Sequence, residues 1–323
     1  MLSKTMLPLS IHPVRPTQGE DTSALICLLQ LDITVVESDD PQIIITPTDL
    51  NSDISTVSTG RFVTSDDRTQ IFAEARGDRD KPAVVFIHGF GFGGMAFNGI
   101  FDDLHWVSEL YMVWPNGLFA WTSERLAQDF DAVIESYNLT RPFVLAWSTH
   151  IADIFSFHPA NYLSGIIYTA AIPDTTDLLT IVSPRLLPLV LGLTNNFDVT
   201  NFQKLWISFI NLCHPALEWS HYLACLGDIV VLPPLTVLRI ITRTQSKTGL
   251  ISAGKSGSLP VLAIFGEDDK AIQRNRMLDV LDGWKNLTVV DIPKAEHIGW
   301  VSQPVKVRMT VLRWISENSK RAI

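Results

Sequence analysis

Five short β-prone runs, set between stretches with helical periodicity, constrain this 323-residue chain more than any other feature. They are 83–87, 143–147, 166–171, 261–265 and 287–292, and the first, Ala83-Val84-Val85-Phe86-Ile87, is apolar throughout. Runs of that kind are buried on both faces of a parallel sheet. Between them, Leu126, Phe130, Val133, Ile134 and Tyr137 recur at helical spacing and predict a helix from about 123 to 137. After Pro304 a closing helix is predicted, with Val305, Met309, Leu312 and Ile315 on one buried face. Residues 61–75 read as a β-hairpin with a polar turn, and 110–113 as a further short strand. Strands alternating with helices imply an α/β fold: a mostly parallel sheet with helices on both faces.

Residues 1–58 mix Pro, Thr, Ser and Asp and carry no recognisable chemistry, so they read as a poorly ordered arm or an added edge strand. The folded domain is expected over 59–323. Within it, about 174–258 is rich in Leu, Phe and Trp and looks helical. It leaves and re-enters at the carboxyl edge of the sheet, where a helical lid would sit; a packed domain with no role at a site is the other reading.

Composition narrows the function. A net charge of −9 with no basic stripe argues against nucleic-acid or anionic-membrane partners. Cys27, Cys213 and Cys225 are far apart and lack metal-ligand spacing, which speaks against structural zinc and a disulfide framework. No early apolar core suggests a signal peptide and no run is long enough for a bilayer span, so a cytoplasmic protein is expected.

The chemistry-bearing residues fall where strands end. Arg141 to Trp147 runs directly into Ser148, then Thr149-His150-Ile151-Ala152-Asp153. A serine between strand and helix is where a nucleophile elbow places its hydroxyl. The first apolar run stops at His88-Gly89-Phe90-Gly91-Phe92-Gly93-Gly94. A phosphate loop is excluded there, since no Lys-Ser/Thr pair follows and no G-x-G-x-x-G register fits. Asp268 and Asp269 follow the run 261–265, and His297 lies beyond 287–292.

On these residues the sequence resembles the α/β-hydrolase fold family over about 60–323. It is most like the lidded, cofactor-free branch that includes non-haem haloperoxidases (perhydrolases) and small esterases. The resemblance implies hydrolysis of a small, apolar carboxylic ester, with no metal and no organic cofactor. It assigns Ser148 as nucleophile, His297 as base and Asp269 as the acid, with Asp268 and Asp174 as other candidates for the acid. Phe90 and Thr149 would supply the oxyanion-hole N–H groups. Ser148 argues against epoxide hydrolases and dehalogenases of this fold, which need a carboxylate at that position. A non-catalytic binding protein that keeps the pocket is the alternative.

Two departures bear on activity. The loop after the strand near Val113 is reduced to 114–121, and Ser148 meets His150 where the family pattern has glycines. It is as if a short glycine-containing piece were missing from the elbow, so weak activity is expected. His150 could act as a base or merely fill the glycine's place, and His214 and His221 read as structural or lining residues. Trp147, Trp206, Trp219 and Trp300 are either pocket lining or plain core.

Overall fold

The computed structural model describes residues 59–116, 122–149, 151–195, 197–230 and 232–319. The expected N-terminal arm, His150 and most of the shortened loop 114–121 lie outside the described residues. Eight strands form one sheet: β1 (Thr59–Thr64), β2 (Gln70–Gly77), β3 (Ala83–Ile87), β4 (Tyr111–Asn116), β5 (Phe143–Trp147), β6 (Gly165–Thr169), β7 (Val261–Gly266) and β8 (Leu287–Ile292). Their order is β1-β2-β4-β3-β5-β6-β7-β8. β1, β2 and β4 pair antiparallel at one end, and every pair from β4 to β8 is parallel.

The central strands follow the expected runs, except that β6 stops at Thr169 rather than 171, where Ala170 turns to φ +46°. Every residue of β5 and β6 is buried, because helices cover both faces. β8 is an edge strand with three exposed positions, one of which, Asp291, pairs with Arg274 at 2.5 Å. β4 is longer than the expected 110–113 strand. It runs on through Trp114 and Pro115 because β2 pairs with it antiparallel as far as Asn116.

The helix Ser123–Ser136 opens on Thr122, whose hydroxyl accepts from the Arg125 N–H at 3.3 Å. Phe130, Val133 and Ile134 are buried as expected, whereas Leu126 is only half-buried. The closing helix, Pro304–Ser319, corrects the expected face: Val305 and Met309 are 53% and 65% exposed. Ile315 is buried as expected, but its buried companions are Val307, Val311 and Trp314. Both stripes have helical spacing, but this one carries Trp314, whose ring packs edge-on against Phe143 of β5 at 5.7 Å.

Between β6 and β7 the chain is helical, with Leu186–Gly192, Val199–Cys213, Trp219–Val230, Pro234–Thr242 and Thr248–Ser256 as its longer helices. Among the described residues, no single helix is long and apolar enough to cross a membrane.

Candidate active site

β5 carries Trp147 into Ser148 at the carboxyl edge of the sheet. Ser148 has φ +50°, a left-handed conformation that costs a non-glycine residue about 1–2 kcal/mol. Its N–H donates to the Thr169 carbonyl at 3.3 Å. The expected helix does not begin at once: it spans only Ala152–Phe157 and ends at His158, before Pro159.

Gly89, two residues past β3, lies against this turn. A Cβ there would stand 2.8 Å from the Ser148 Cβ and 3.1 Å from the Trp147 carbonyl, so only glycine fits. Gly91 adopts φ +74°, and a Cβ there would meet the Trp206 ring at 2.5 Å. Phe90 stacks on that same ring at 5.7 Å. His88 is half-buried, and desolvation lowers its pKa; its Nδ1 lies 3.1 Å from the Gly89 carbonyl.

The acid and imidazole are brought together by β7 and β8. Asp269 Oδ2 lies 3.0 Å from His297 Nδ1, and their side chains are 5% and 1% exposed. Asp269 Oδ1 accepts from the N–H groups of Ala271 and Ile272 at 2.7 and 3.2 Å. The Trp147 indole N–H donates to the His297 carbonyl at 3.1 Å, and its ring lies 5.6 Å from the imidazole. One hydrogen bond thus ties the residue before Ser148 to His297. Among the described residues, no hydrogen bond joins Ser148 to His297 itself.

The other candidate acids are elsewhere. Asp268 is exposed. Asp174 is buried and caps a turn, accepting from the Thr176 N–H at 2.8 Å.

Ser148, Phe90 and Thr149 line a cavity of about 450 Å³, a size suited to a small molecule. Leu178, Leu186, Val190, Phe209 and Ile240 of the helical insertion form much of its apolar wall. His297 is not among the lining residues. Neither the Phe90 nor the Thr149 N–H finds a protein acceptor among the described residues. Trp147, Trp206 and Trp300 belong to the core rather than to the cavity wall, and Trp219 is 69% exposed.

The described fold is similar to solved structures. An aryl esterase candidate from Burkholderia cenocepacia superposes with a TM-score of 0.71 at 14% identity, over 81% of this chain and all of that one. The chain has the α/β-hydrolase fold. An esterase from a Rhodococcus species matches at TM-score 0.70 and 18% identity, over 80% of this chain and 98% of its own. A bromoperoxidase from Bacillus anthracis matches at 0.58 and 14%, over 80% and 100%. Neither a protein-family model nor a curated protein sequence matches the chain.

Within this α/β-hydrolase fold, the partners of several polar groups escaped the sequence reading. Arg243 Nη2 and Gln245 Nε2 both donate to Asp153 Oδ2, at 2.7 and 2.5 Å, tying the insertion to the helix after the elbow. His214, at the end of Val199–Cys213, places Nδ1 2.9 Å from Glu296, beside His297. His214 is buried, which lowers its pKa despite Glu296, while His221 is partly exposed beside Glu218. Asp228 accepts from the Gly93 N–H at 2.7 Å. Apart from the local His221–Glu218 pair, each pairing spans at least 80 residues, so no local pattern announces it.

Proposed function

We propose that this protein is a serine hydrolase acting on small, apolar carboxylic esters through an acyl-enzyme. Ser148 attacks the carbonyl carbon while His297 accepts its proton, and Asp269 holds the imidazolium that forms. The Phe90 and Thr149 N–H groups receive the developing oxyanion. His297 then protonates the leaving alcohol, and water, activated by the same imidazole, releases the acid. The insertion acts as a lid over the cavity.

The observation that carries this reading is the sealed Asp269–His297 pair, bonded through the His297 carbonyl to the residue preceding a left-handed Ser148. An apolar cavity wall favours an acyl chain over a polar substrate. Esterases among the solved structures of this fold agree with the reading.

Turnover as the chain stands is weak. Ser148 and His297 are not hydrogen-bonded, and a misplacement of about 1 Å costs roughly a hundredfold in rate. That same observation favours a second reading, a binding protein that keeps the cavity without the chemistry. Labelling by a fluorophosphonate probe and p-nitrophenyl acetate turnover, each compared with Ser148→Ala, separate the two. Ser148-dependent labelling supports the hydrolase; equal labelling of both proteins supports the binding protein.

A further inference from the structure

The cavity wall is apolar except for His88, two threonines, Ser148, and three charged side chains, Asp153, Arg243 and Asp228. Asp153 and Arg243 neutralise each other at 2.7 Å, and desolvation lowers the pKa of His88. Asp228 has no such partner: among the described residues, no cation pairs with it. It sits on the helix Trp219–Val230, half-buried, and its Oδ2 accepts the Gly93 N–H at 2.7 Å. A Cβ at Gly93 would stand 2.8 Å from both carboxylate oxygens, so the whole carboxylate lies against the glycine loop. Cys225, on the same helix, has its thiol pushed up to about 12 by burial first and by the Asp228 carboxylate second.

A neutral Asn or Gln would hold the Gly93 N–H as well. A lone carboxylate in an apolar cavity is costly unless something of opposite charge joins it. We infer that Asp228 is a specificity-determining residue, and that the cavity takes a substrate with an apolar chain and an ammonium group, which docks on this carboxylate. The inference rests on the proposed function only in taking this cavity as the substrate site. The ammonium donates to Asp228 Oδ1, while Oδ2 keeps Gly93. A carboxylate-bearing substrate would meet repulsion at the same place. Burial already raises the pKa of Asp228, with the Gly93 hydrogen bond opposing, as expected of an acid awaiting a counter-charge.

Binding of hexylamine, hexanol and hexanoate to the full chain, measured by calorimetry at neutral pH and low salt, tests this without any turnover. Hexylamine should bind about tenfold more tightly than hexanol, the gain expected of one charged hydrogen bond, and hexanoate most weakly. Asp228→Asn, whose amide oxygen can still accept from Gly93, should remove the preference. Added salt should erode the preference in the wild type, an arm that stands even if the variant does not fold. Equal binding of amine and alcohol by the wild type, a preference that survives Asp228→Asn, or no binding of any probe overturns the inference. A protein that prefers hexylamine yet hydrolyses no ester would sink the proposed reaction and keep this site; ester turnover without the preference would do the reverse.

Discussion

The two halves of the candidate site are built to different standards of rigidity. Around His297, Asp269 receives three hydrogen bonds of 2.7 to 3.2 Å, and the Glu296 N–H is held by Ser302 at 2.9 Å. Around Ser148 the backbone bonds are 3.3 Å long, and the Ile151 cap of the following six-residue helix makes no side-chain hydrogen bond. Asp269 sits in the loop between the paired strands β7 and β8 and His297 in the loop after β8, whereas Ser148 holds a left-handed turn whose own N–H bond is 3.3 Å long. Rigid positioning of the base does not by itself assemble a nucleophile.

The comparison can be broken first at its rigid half. His297→Ala should lower Ser148-dependent p-nitrophenyl acetate turnover by about 10³-fold, to the level of Ser148→Ala. Retained turnover would show that another group is the base. At the weak half, inserting Leu-Gly-Gly between Ser148 and Thr149 should raise turnover by about a hundredfold. No gain in steady-state rate would mean that the elbow is not what limits the chain.

Stability sharpens the contrast further. Asp269→Ala strands the Ala271 and Ile272 N–H groups and a buried imidazole, and should cost about 1–3 kcal/mol in urea unfolding. Asp268→Ala, on the exposed neighbour, should stay within about 0.5 kcal/mol. Equal losses from both would remove the distinction between the two carboxylates.

The smallest effect belongs to Asp228. Its folded-state pKa stands above the unfolded value, so the fold favours the protonated acid. That contribution is whole below the unfolded carboxylate range and is lost as pH rises through the raised folded value. Asp228→Asn should therefore melt slightly higher than the wild type at neutral pH, and the gap should close in acid. A gap that widens in acid would contradict the raised pKa.

Much of the frame was legible because it depends on local pattern. The runs 83–87, 143–147, 261–265 and 287–292 became strands within a residue of the expected bounds, since a buried parallel strand needs only a short apolar stretch. The glycine loop was legible too, because close approach to Ser148 leaves no room for a Cβ. The family resemblance assigns the acid to Asp269, and the structure sets Asp269, not Asp268, against His297.

What periodicity left open was decided by partners distant in sequence. Val305 and Val307 offer equivalent helical stripes until the sheet takes Trp314, and Pro115 reads as loop until β2 pairs beside it. Trp147 and Trp206 could line a cavity or fill a core, and only their packing in three dimensions puts them inside. The sequence by itself determined the parallel sheet, the strand-end placement of Ser148, Asp269 and His297, and the helical character of the insertion. Tertiary structure alone decided that Asp153 meets Arg243 and that Asp228 reaches Gly93 across 135 residues. Charge pairing and burial are properties of neighbours in space, and no spacing along the chain encodes them.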